Sequence, residues 1–381
     1  MSISFQSSPK KVFFSNIDGL KAIAFFFVFI PHTLYRLFPY LESDNIIFKT
    51  ITKSILDLWN GVPLFFTISG FLITFKCLKE IKNKGTIDVK KFHLHRITRI
   101  WPLYFLVLIF SFYAYPFFVT LFQHPVSYCS KPIFYFLFLS NFDVIRIFST
   151  CSGHHTPFTL ATWYIAAQEQ FYFFFPTLLL LIPRNFYQIF FLILVGLGVL
   201  IRYIYIQEEL TAYYHTLNAA SDIATGALAA FLIFSDRHFN VFIYKLSKNI
   251  IYFTFASGLI FIISNILFTY NIYSDVLRKV ILAFFNAFII LILTHNKHGQ
   301  KFIFKPTFFY KIGKYSYGLY LLHLIILTLF EQLFKLFNIN IYLPIVTLAI
   351  AFLTFLLSFF LSYFSYNYFE VYFLKLRRLI T

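Results

Sequence analysis

Ten stretches of mostly apolar residues recur along this chain, each about 20 residues long and so able to cross a bilayer core as a helix. They cover residues 17–38, 55–78, 100–122, 161–182, 186–206, 213–235, 250–269, 276–294, 315–337 and 342–368. Inside a bilayer every backbone N–H and C=O must be satisfied without water, which leaves helices or a closed barrel. The runs lack the period-two alternation of membrane strands. The fold class is therefore all-α: a polytopic membrane helical bundle of about ten transmembrane helices. The apolar segment 132–142 is too short to span and is expected to be re-entrant or interfacial.

Composition narrows the class further. Charged residues make up 12% of the 381, about half the share in a soluble domain. High hydrophobicity excludes disorder, and three Cys exclude a disulfide scaffold. The formal net charge is +17, which in a soluble chain would suggest nucleic acid. Here nine cations fall on one set of alternating loops and span ends: Arg36, Lys49, Lys53, Lys131, Arg146, Arg202, Arg278, Lys279 and Lys335. The other 23 of the 32, including Lys10, Lys11 and Lys21, fall on the opposite set. The positive-inside rule puts both termini in the cytoplasm. The charge is thus mainly a topology signal; the partner it implies is the lipid bilayer and not nucleic acid.

The first span is too long for a signal-peptide core and lacks a small-residue cleavage site. Residues 1–381 read as one transmembrane domain with no appended soluble domain. No sequence repeat, Gly-rich phosphate loop or CxxC is visible. Inverted repeats can be silent in sequence, so a secondary transporter or permease of a lipid-linked or small anionic substrate stays open.

Ionisable residues inside spans are costly and mark functional candidates. Lys21 and His32 stand eleven residues apart in the first span. That is three turns plus about 20°, so they share a face about 16 Å apart along the axis. Lys21 taken alone is also a snorkelling interfacial cation, and His32 an interhelical hydrogen bonder beside Pro31. Ser69 and Gly70 permit close helix approach. Arg96 and Arg99, at i and i+3, project together and suit a phosphate-bearing ligand, or serve as a positive-inside anchor. Gln168-Glu169-Gln170 interrupts the fourth span, where a carboxylate should face a cavity or a cation. Ser316 and His323, seven apart, share a face with Tyr320 beside them, and Asp222 is a further candidate. Two His and one Glu would suit zinc, but no short ligand spacing joins them, so no metal is expected. Cys129 and Cys151 share the outer 123–160 segment and can pair in an oxidising compartment; Cys77 lies at the cytoplasmic boundary.

Five ordered segments, Asp18–His32, Gly61–Ile73, Arg96–Pro102, Trp163–Pro176 and Ser316–His323, together resemble acyltransferase family 3, the membrane O-acetylases of O-antigen type. The resemblance implies a ten-span enzyme of the bacterial inner membrane. It would move an acyl group, commonly acetyl from acetyl-CoA, onto hydroxyls of an envelope glycan such as lipopolysaccharide. Carried over residue by residue, His32 matches the family His of the first span, with Lys21 where the family has Arg. Arg96 and Arg99 keep the family's Arg-x-x-Arg. Gln168 stands where the family has Glu, with Glu169 one residue later. These departures leave open a catalytically impaired member.

On this resemblance Lys21, Arg96 and Arg99 would bind the acyl-CoA phosphates. His32 would act as base, with Glu169 or Gln168 orienting the imidazole. Ser69, Trp163, Tyr172, Ser316, Tyr320 and His323 would line or support the site. Acceptor sugar, acyl chain and oligomeric state are not legible.

Overall fold

The computed structural model describes residues 14–37, 61–117, 129–151, 158–267, 272–301 and 308–380. Among them it is helical and contains no strand, as apolar runs without alternation require. Eight helices are long and apolar enough to cross a membrane. In chain order, α1 spans Ser15–Leu34 and α2 Gly61–Lys84. Next come α3, Val89–Ile109, the short α4, Pro132–Phe136, and α5, Ser140–Thr150. After them run α6, Thr162–Leu181, and α7, Tyr187–Ile204. The short α8, Glu209–Tyr214, precedes α9, Thr216–Ser235. Then follow α10, Arg237–Lys245, α11, Lys248–Leu267, and α12, Ile272–His295. The chain closes with α13, Phe308–Lys314, α14, Ser316–Leu336, α15, Pro344–Phe364, and α16, Val371–Ile380.

The eight apolar helices match eight of the ten expected spans. The remaining two coincide with α6 and α11, of 20 residues each. In α6 the Gln168-Glu169-Gln170 triplet lowers the hydropathy of an otherwise membrane-like helix. The expected start of the second span before Gly61, the end of the third beyond Phe117, and Lys10 and Lys11 lie outside the described residues. The segment 132–142 holds the five-residue α4 and the start of α5, neither long enough to span.

One boundary moves most. The third span begins at Val89, where Asp88 caps the helix by accepting from Lys91 N at 2.9 Å. Helical structure then runs through Phe117, 29 residues, or about 43 Å. That exceeds the roughly 30 Å hydrocarbon core, so the helix protrudes and carries Arg96 and Arg99 within its first three turns.

Backbone contact at glycine fixes the centre of the bundle. A Cβ on Gly70 of α2 would lie 1.9 Å from Ile223 O of α9, and one on Gly226 of α9 would lie 2.0 Å from Thr67 O of α2. The two helices therefore cross with each glycine against the other's backbone, the close approach small residues allow. They run parallel, since beyond the crossing Phe75 of α2 meets Phe234 of α9 at 5.9 Å. A Cβ on Gly313 would lie 1.6 Å from Asp18 O, which seats α13 on the first turn of α1. Helix α1 is thus enclosed by α2, α12, α13, α14 and α15. The ends of the bundle differ. One holds the Lys-rich α2–α3 turn; the other holds α5 and the Cys129–Cys151 disulfide, whose Cα atoms are 6.4 Å apart.

Candidate functional site

Helices α1 and α14 run parallel and bring together two imidazoles separated by 291 residues in sequence. His32 Nδ1 lies 3.2 Å from His323 Nε2, with ring centroids 5.2 Å apart. His323 is fully buried, while His32 is half-buried. The other nitrogen of His323, Nδ1, is 2.8 Å from Tyr320 O and 3.2 Å from Leu319 O. A carbonyl oxygen only accepts, so Nδ1 carries the proton. The neutral ring then presents a lone pair at Nε2. His32 must donate to it through Nδ1–H, and this tautomer leaves the lone pair of His32 on Nε2. The rings of Phe25, Phe29 and Tyr320 each lie 6.0 Å from His323 and hold it in place.

One turn beyond His32, Arg36 makes a close ion pair with Glu331, two turns beyond His323. The same two helices are therefore tied twice. Sequence counted Arg36 only as an outer-side cation and did not mark Glu331, because the pairing depends on which helix faces which.

The expected cationic set gathers at the basic end, with partners that sequence did not reveal. Lys21 is paired with Asp18 one turn earlier at 2.9 Å, and Arg96 and Arg99 are both its electrostatic neighbours. Arg96 lies over the Tyr172 ring at 4.1 Å. Arg99 is exposed and lines a small cavity with Lys314, Tyr317, Ser362 and Glu370. The two arginines share a helix face but lean toward different neighbours.

The Gln-Glu-Gln triplet points three ways, as steps of 100° per residue demand. Gln168 Nε2 donates to Ser69 Oγ and to Tyr172 Oη, both at 2.6 Å. Glu169 accepts from Trp101 Nε1 at 3.2 Å, with Arg96 as electrostatic neighbour. Gln170 donates to Phe138 O at 2.6 Å and to Asn141 Oδ1 at 2.8 Å, and accepts from Thr216 Oγ1 at 2.6 Å. Neither Gln168 nor Glu169 is the partner of His32; His323 is. Trp163 and Tyr320 are buried in the wall between the helices, and buried Ser316 begins α14. Among the described residues no three His, Cys, Asp or Glu side chains gather as a metal site.

The family described as the acyltransferase domain, acyltransferase family 3, matches residues 14–365. The chain belongs to that family. Its relatives include the peptidoglycan O-acetyltransferase OatA of Listeria monocytogenes, 27% identical over 365 residues, covering 90% of this chain and 54% of that protein. A Staphylococcus aureus (strain COL) protein provisionally named an O-acetyltransferase is 27% identical over 353 residues, covering 85% of this chain and 52% of its own length. An uncharacterized Haemophilus influenzae protein is 32% identical over 132 residues, 34% of this chain and 52% of its own. The chain spans about half the length of the curated relatives it matches. No solved structure matches it. The acyltransferase domain thus carries the basic cluster, the imidazole pair and the disulfide-bearing end on one bundle.

Proposed function

We propose that this acyltransferase-family protein moves an acyl group, acetyl in the first instance, from acyl-CoA at the basic end to a hydroxyl of an envelope polysaccharide at the disulfide end. The observation that carries the reading is the His32–His323 pair, which leaves His32 Nε2 as a base on a half-buried ring. Names of relatives that act on, or are provisionally assigned to, O-acetylation agree with it.

The phosphates of acyl-CoA are bound by Arg96 and Arg99, with Lys21 beside them, through charge-assisted hydrogen bonds. Eleven residues of α1 separate Lys21 from His32, about 16 Å of rise, a distance a pantetheine arm covers. His32 Nε2 takes the proton of the acceptor hydroxyl as its oxygen attacks the thioester carbonyl. The C–S bond breaks, the thiolate leaves, and the imidazolium returns the proton to sulfur, so the ester and free thiol balance. His323 holds His32 in the required tautomer and accepts the Nδ1–H bond that strengthens as the ring becomes cationic. On this reading the bundle lies in the bacterial inner membrane with the basic end in the cytoplasm.

The test is acetyl transfer from labelled acetyl-CoA into envelope glycan by the purified full chain in liposomes. Wild type transfers label, and His32→Ala at equal protein level transfers none. Full transfer by His32→Ala removes the base assignment.

A further inference from the structure

A second polar cluster lies at the disulfide end, between α7 and α9. Arg202 of α7 and Asp222 of α9 form an ion pair at 3.5 Å, and both are about 95% buried. A well-made charge-assisted bond is shorter, about 2.7–2.9 Å, so the pair is loosely closed. Arg202 Nε, a donor, has no hydrogen-bond partner among the described residues. Neither has Oδ1 of Asn218, an acceptor one turn before Asp222. Buried polar groups are almost always satisfied, and an exception calls for a partner. Here a donor and an acceptor are left over on facing helices, beside a carboxylate.

Aromatic rings adjoin these groups. Trp163 lies 5.1 Å from the Tyr213 ring and 4.9 Å from the Tyr214 ring. Tyr213 is an electrostatic neighbour of Asp222, and its carbonyl accepts from Asn218 Nδ2 at 2.9 Å. Tyr213 and Tyr214 are half-buried, so part of each remains open. Asn141 of α5 donates to Tyr214 O at 3.2 Å, which places the cluster under the disulfide-bearing segment. The wall continues toward the imidazoles: Trp163 adjoins Tyr164, whose ring is 5.2 Å from that of Tyr320, one turn before His323.

The geometry points to an acceptor subsite for a pyranose ring, built from Arg202, Asp222, Asn218, Tyr213 and Tyr214. A sugar hydroxyl both accepts and donates. One such group takes the Arg202 Nε–H and gives its proton to Asn218 Oδ1 or Asp222, while the aromatic faces cover the C–H face of the ring. Ligand sites of this kind combine aromatic walls with a few convergent polar groups. As the acceptor side of the transfer, the subsite rests on the function proposed above. A single buried water would also satisfy the two unpartnered atoms, and the experiment separates the two.

Full-length protein in nanodiscs is titrated with chitotetraose and with maltotetraose. Separately, apparent KM values are measured for acetyl-CoA and for the acceptor glycan. The double variant Arg202→Met/Asp222→Leu replaces the buried pair with apolar groups of similar size, a change that proteins often tolerate. Asn218→Ala provides a milder test. Wild type is expected to bind at least one oligosaccharide. Both variants, at wild-type thermal stability, are expected to bind it about tenfold more weakly, about 1.4 kcal/mol. Acceptor KM rises in parallel, and acetyl-CoA KM stays within about twofold. Absence of binding by wild type, or unchanged binding in either folded variant, overturns the subsite. If the double variant does not fold, Asn218→Ala decides alone. If wild type binds sugar and the variants do not, while no acetyl is transferred, the subsite stands and the acyl-transfer reading falls.

Discussion

Arg36 and Glu331 close an ion pair between the two helices that also carry His32 and His323. Arg36 is about 95% buried, and its Nε has no hydrogen-bond partner among the described residues. Breaking a buried pair by removing one charge leaves the other stranded, at a cost of about 3–5 kcal/mol. Glu331→Gln is therefore expected to lower the thermal midpoint of the detergent-solubilised protein clearly. The double variant Arg36→Met/Glu331→Leu, which strands no charge, is expected to recover most of the loss. Equal midpoints for wild type and Glu331→Gln would show that the pair contributes nothing to docking α1 on α14.

His323 is predicted to act through His32. His323→Phe removes the Nε2 acceptor 3.2 Å from His32 Nδ1 and leaves the ring with its Val28 backbone contact, which weakens the preference for the tautomer that bears a lone pair on Nε2. General-base catalysis contributes about 10²–10⁴-fold, and a positioning residue is expected to account for part of that. Turnover should fall roughly 10²-fold with acetyl-CoA KM unchanged. His32→Ala should abolish it, and the double variant should be no worse than His32→Ala. Additive losses in the double variant would mean that the rings act separately.

Arg96 has two interactions to lose, its charge and its place over the Tyr172 ring at 4.1 Å. Lys keeps the charge but not the planar guanidinium that stacks and forks. Apparent KM for acetyl-CoA is therefore expected to rise in the order wild type, Arg96→Lys, Arg96→Ala. The loss on Arg96→Ala should shrink at high salt, because the contact is electrostatic. Steady-state kinetics at two salt concentrations measure this, and identical KM values for all three proteins would remove Arg96 from the donor site.

Sequence disclosed what depends on one helix and concealed what depends on two. The helical bundle, and eight of its expected spans, were legible because hydrocarbon thickness and helical rise set a length that composition must fill. The start of α3 was misplaced most, since Asp88 caps the helix well outside the apolar run, while the helices of the second and tenth spans also run past their expected ends, to Lys84 and Leu376. Gly70 was readable as a close-approach position, but its counterpart Gly226 was not, because the crossing point depends on how α2 and α9 are set against each other. His32 and His323 were both visible as buried ionisable groups, and their pairing was not. Gln168 and Glu169 were expected to orient His32. Their actual partners are Tyr172, one turn on in the same helix, and Ser69 and Trp101 on other helices. Asn218 drew no notice because an Asn near the start of a helix is ordinary until its Oδ1 proves buried and unpartnered.

The Cys129–Cys151 disulfide closes a segment of the chain around α4 and α5. Within it, Arg146 Nη2 donates to Cys129 O and to Asp143 Oδ1, each at 2.6 Å. Asp143 in turn accepts from Lys131 N at 3.0 Å. The ends of the segment are thus held by hydrogen bonds as well as by the bridge. A disulfide closing a loop of this size contributes about 3 kcal/mol, chiefly by limiting the unfolded chain. Cys129→Ser/Cys151→Ser is therefore expected to lower the thermal midpoint and to make the segment more susceptible to limited proteolysis. Because α5 is also hydrogen-bonded to Tyr214 and Thr216, the loosening should reach the start of α9. Acceptor KM should then rise more than acetyl-CoA KM. An equal rise in both, or an unchanged digestion pattern, would show that the bridge does not brace that end of the bundle.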